Sequence, residues 1–171
     1  MHHHTPPPAA PLLLAGLTAL PRHTLTAAVA GLEPADFTTP ADRIIFDALT
    51  AIAADAPQLP NRAATVEQLH GHLLESGELT GTNGRSVRAR IADLAGGIID
   101  GGQVPRLAAT ARAQRFRAAV ASRAAELTER ADTAPLADLD ATLDTAIKEL
   151  RRLRARITPA GHLHTLNGGA A

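Results

Sequence analysis

Between Pro105 and Pro135 the chain contains neither glycine nor proline, and neither residue returns until Pro159. Proline is well placed in the first turn of a helix and breaks one further in. Pro105 therefore predicts the start of a long helix reaching about Asp132, and Pro135 marks the turn into a second. In that second stretch Leu136, Leu139, Leu143, Ala146, Leu150, Leu153 and Ile157 alternate steps of three and four, the spacing of a coiled-coil seam. Two such helices joined by a short turn are expected to fold into an antiparallel hairpin. A two-helix arm cannot cover its own apolar edge, so the seam calls for another surface, in the rest of the chain or in another subunit.

The remaining sequence favours helices as well. Hydrophobic residues make up 45% of the 171, but aromatics only 2%. A core built from Leu, Ile, Val and Ala suits helix packing, whereas strands favour the aromatic and β-branched types. The length accommodates one sizeable core. The expected class is all-α, a compact bundle of about five helices followed by the long antiparallel hairpin.

Five starts and stops can be placed before the hairpin. Leu12, Leu13, Leu14 and Leu17 form a first helix that must end before Pro21, and Leu25, Ala28, Val29 and Leu32 share one face of a second. Thr39 is placed to cap a third, with Pro40 in its first turn and Asp42 positioned to return a bond; Ile45, Ala48, Leu49 and Ile52 form its buried stripe. Thr65 and Gln68 repeat the capping pattern for a fourth helix carrying Val66, Leu69 and Leu73, with Gly77 as its stop. A fifth should follow Ser86, use Val87, Ile91, Leu94 and Ile98, and end at Gly101 and Gly102. The domain organisation so read is a disordered arm over residues 1–11, a globular helical part over 12–102, the hairpin over 103–157 and a flexible tail over 158–171.

Several functions are excluded or left without residues to perform them. No cysteine is present, so disulfides, thiolate metal sites and a cysteine nucleophile are excluded, and an unstapled chain suits the cytoplasm. The apolar segment at residues 9–20 is too short to span a bilayer and follows no Lys or Arg, so no membrane association is expected. The only lysine, Lys148, lies inside the last predicted helix, and no P-loop can be written around it. His70 and His72 are two apart and point to different sides of a helix, which is wrong for a shared metal; His162 and His164 fall in the tail with no fixed partners. Asp138, Asp140 and Asp144 are accounted for by the positive end of the last helix's dipole. No catalytic residue, cofactor site or metal site is assigned, and the chain reads as a non-enzyme.

Charge is balanced overall, with 17 basic and 17 acidic residues, but Lys and Arg outnumber the acids only after Pro105. Arg112, Arg115, Arg123 and Arg130 lie in the first hairpin helix, and Arg151, Arg152, Arg154 and Arg156 end the second. The partner-binding candidates are therefore the seam leucines Leu139, Leu143, Leu150 and Leu153, with Arg112, Arg115, Arg151 and Arg154 as the basic contribution. Self-association through the hairpin is the leading reading. The alternative is a basic nucleic-acid-binding accessory protein acting through those arginines, a weaker role because single-strand binders stack bases on aromatics that are scarce here.

Residues 32–49 carry an acidic residue and phenylalanine (Asp36, Phe37), a short loop with Pro40, and then Arg43, Ile44, Phe46 and Ala48 on one helix. This resembles the signature of the N-terminal domain of DnaB-type replicative DNA helicases. The resemblance continues through Val66 and Leu69 to the turn at Gly77, Glu78 and Leu79, and more weakly through Ile91 to Leu94 and Gln103 with Val104. It covers roughly residues 12–157. The chain departs from the family pattern at Thr38, Asp42, Arg106 and Leu107. The resemblance implies a helical collar domain that oligomerises by hairpin pairing and binds a primase, a helicase loader or the helicase itself, without the ATPase motor. It fits a stand-alone homologue or a domain excised from a larger helicase.

Overall fold

A computed structural model of the chain describes residues 8–55 and 58–157. Among the described residues seven α-helices are formed: α1 (Ala9–Leu17), α2 (Arg22–Ala30), α3 (Pro40–Asp55), α4 (Arg62–Glu75), α5 (Gly84–Ala95), α6 (Val104–Ala131) and α7 (Leu136–Ile157). Short 3-10 turns precede α3, at Pro34–Asp36, and α6, at Gly101–Gln103. No strand occurs among the described residues, so the all-α class holds.

The chain divides into two compact units inside α6, between Ala111 and Arg112. That boundary lies beyond the one expected at residue 102, because Val104, Ala108 and Ala111 at the start of α6 are buried in the core of the first unit. Glycine content marked the loop before α6, whereas the core continues one residue in every three or four into the helix itself.

Helix α1 is apolar nearly all round, which fits a helix enclosed by others. Leu13, Leu14 and Leu17 are fully buried, and Gly16 lets α6 approach: a Cβ there would stand 2.8 Å from Val104 Cγ2. Ala9 and Ala10 are also buried in α1, so the arm expected over residues 1–11 ends before them; residues 1–7 and the tail expected over 158–171 lie outside the described residues.

Helix α3 is the hub of the first unit and packs against α1, α2, α4 and α5. Its stripe of Ile45, Ala48, Leu49 and Ile52 is buried, and Phe46 stacks on Phe37 with ring centroids 4.6 Å apart. Thr39 caps the helix as read from the sequence, accepting from the Asp42 N–H at 3.1 Å. The Asp42 carboxylate does not return the bond. It is fully buried and its Oδ1 accepts from Arg90 Nε of α5 at 2.8 Å.

Three limits of α4 and α5 differ from the sequence reading, one of them the start of α5, which begins at Gly84 and so encloses Ser86. The cap of α4 is Asn61, whose side chain accepts from the Ala64 N–H, while Thr65 is buried one turn later and donates to the Asn61 carbonyl. Asn and Thr both suit caps, and the earlier residue prevails because Arg62, the first helical residue, is tied down: it donates to the carbonyls of Ala15 and Ile99. Gly77 ends the helical segment as expected, with φ of 78°, a backbone that glycine adopts without steric cost. Helix α5 stops at Gly96, before the predicted Gly101 and Gly102. Val87, Ile91 and Leu94 are buried, but Ile98 lies in the following loop with 93% of its surface exposed.

Candidate interaction surface

The second unit contains the rest of α6, the turn around Pro135 and all of α7. Arg123 of α6 meets Glu149 of α7, with Nη2 to Oε2 at 2.6 Å, and Arg130 Nη1 donates to Thr142 Oγ1 at 3.0 Å. As the α6 number rises by seven the α7 number falls by seven, so these segments run in opposite directions. Arg123 also bridges to Glu126 at 2.6 Å, and the two carboxylates raise its pKa further above the ordinary guanidinium value.

The predicted seam of α7 splits into two edges. At about 100° per residue, Leu139, Ala146 and Leu153 lie within about 20° of a common line. Ala146 and Leu153 are buried, the latter 4% exposed, and Leu139 is half-buried. The other edge, Leu136, Leu143, Leu150 and Ile157, starts about 80° from that line and approaches it by about 20° per heptad, because seven residues fall short of two full turns. Exposure follows the drift: Leu136 is 81% exposed, Leu143 42%, and Leu150 and Ile157 are half-buried. Ile147 extends the open edge at 36% exposure.

Helix α6 adds to the same side. In two antiparallel helices, residues displaced in the same rotational sense from the line of contact fall on one side of the pair. Phe116, Val120 and Leu127 are displaced from Arg123 in the sense in which Leu143 and Leu150 are displaced from Ala146. Val120 is exposed and Phe116 and Leu127 are half-buried. The unit thus has an apolar flank of Val120, Leu136, Leu143 and Ile147 with half-buried neighbours, and an opposite polar flank. On the polar side Arg123, Glu126, Arg130, Asp138, Thr142 and Thr145 line a shallow cleft of about 340 Å³.

Of the sequence candidates, then, Leu143 is open, Leu139 and Leu150 are half-buried, and Leu153 is internal. Arg112 and Arg115 are half-buried, and neither they nor exposed Arg154 are free cations; Arg151 is exposed and holds no ion pair among the described residues. Val120 and Ile147 were not singled out by the seam rule. Their signal was the i to i+4 spacing to Phe116 and Leu143.

In the first unit a groove of about 470 Å³ runs along α3 and α4, where Asp55, Glu67, His72 and Glu75 surround a floor of Ala51, Ile52 and Gly71. No Ser, Thr, Cys or Lys lines it. Among the described residues no set of three or more His, Asp or Glu is placed to hold a metal, and no helix is long and apolar enough to cross a membrane. His70 is exposed while His72 lines the groove, on different sides of α4 as their spacing requires.

No family model, curated protein or solved structure matches the chain.

Proposed function

We propose that the protein is a non-catalytic interaction domain that self-associates through its second unit, an antiparallel helical hairpin following a helical bundle. The observation that carries this reading is the open apolar flank of α6 and α7. Val120, Leu136, Leu143 and Ile147 expose large side chains on one side of two helices whose opposite side is closed by ion pairs. Contiguous apolar surface bounded by charge marks an interaction site.

The setting is the DNA replication machinery in the cytoplasm, by the resemblance of residues 32–49 and 65–79 to the collar domain of DnaB-type helicases. In that setting the chain has no motor of its own and acts by binding a copy of itself, and a primase, a helicase loader or the helicase. The nucleic-acid reading has less to draw on, because most of the hairpin arginines are held within the chain.

Light scattering over a hundredfold range of concentration tests the proposal. The mass should rise from 17.7 kDa toward at least twice that value. A mass fixed at one chain throughout removes it. Binding to single-stranded DNA that falls steeply with salt would favour the arginine reading in its place.

A further inference from the structure

Asp140 and Arg151 lie about 40° and 60° round α7 from the middle of its open edge, with Asp144 and Lys148 further round the exposed side. Asp140, Asp144, Lys148 and Arg151 are all exposed, and their side chains hold no ion pair among the described residues. The charges of the opposite flank behave differently, since Arg123, Glu126, Arg130 and Glu149 pair with one another. Along this exposed side the two acids come first and the two bases follow.

We propose that the occupant of this edge is a second copy of the same edge, laid antiparallel about a two-fold axis near Thr145 and Ala146. The inference rests on the self-association reading above and assigns it an orientation and a register. An antiparallel copy sets Asp140 opposite Arg151, a pairing that occurs twice by symmetry, and levels Asp144 with Lys148 further from the apolar edge. The same alignment, to within one residue, sets Leu143 opposite Ile147, so charge and apolar surface agree on one register. It also brings Leu136 level with exposed Arg154 of the second copy, so on α7 the apolar match is made by Leu143 and Ile147. Val120 is close to that level, because the register joining Arg123 to Glu149 sets Val120 beside residue 152. A parallel copy would put acids against acids and bases against bases, which opposes association.

Charge exchange tests the orientation. Dissociation constants are measured by sedimentation for the full chain and for Asp140→Arg, Arg151→Asp and the double variant carrying both. Each single variant creates two like-charge contacts and should weaken association about tenfold at low salt, on the scale of exposed charge pairs. The double variant restores opposite charges and should return to within about threefold of the parent. Circular dichroism checks that all variants keep the parent's helical content. If the parent associates but the single variants are unaffected, or the double variant stays as weak as the singles, the antiparallel register is wrong while self-association stands. A parent that stays monomeric removes both.

Discussion

The Asp42 carboxylate is the most consequential single group in the first unit. It has no exposed surface, and its charge is met by Arg90, whose side chain is about a quarter exposed. Removing one member of a buried pair leaves the other uncompensated, so Arg90→Met should destabilise by about 3 kcal/mol, and adding Asp42→Asn should recover most of it. Urea unfolding of the two variants measures this, and a double variant no better than the single would contradict the pairing account. Asp47, on the same helix, is a smaller effect with a definite sign. Partial desolvation by its neighbours raises its carboxyl pKa above the ordinary value, although the residue is exposed. The folded chain therefore binds that proton more tightly than the unfolded chain. Its stabilisation is complete below the ordinary carboxylate value and is lost as pH rises through the raised one. Between about pH 3 and about pH 7 the parent should lose stability relative to Asp47→Asn, read as the difference in Tm between them.

At the scale of elements, the drift of α7's seven-residue pattern decides what its leucines do. Leu153→Ala should cost about 2 to 5 kcal/mol, as for other buried leucines, whereas Leu143→Ala, on the open edge, should cost under about 1 kcal/mol in the isolated chain. Thermal unfolding at low protein concentration measures both, and equal costs would contradict the division into two edges. Helix positions were legible because glycine, proline and capping residues act locally: Pro105, Pro135, Thr39 and Gly77 act where they were read. Asn61 and Gly96 were missed because competing signals stood nearby, and tertiary contacts of Arg62 and the burial of Thr65 decided between them. The seam was legible as one stripe, but not its division, since a strict heptad reading omits the drift that leaves Leu136 and Leu143 open.

At the scale of the whole molecule, the described residues present two distinct surfaces, each within its own unit: an acidic groove on α3 and α4, and an apolar flank on α6 and α7. Composition alone indicated the class, because a chain with three phenylalanines and no tyrosine or tryptophan has little but aliphatic side chains to bury. The division at Ala111 was not legible, because α6 is one unbroken helix and its sequence does not announce where its neighbours change. The central claim is that the flank of the second unit carries self-association. Its most direct test is light scattering on Leu143→Asp combined with Ile147→Asp, at concentrations where the parent chain associates. The account predicts a variant that keeps the parent's helical circular dichroism and has the mass of a single chain. A variant that associates as strongly as the parent would contradict it.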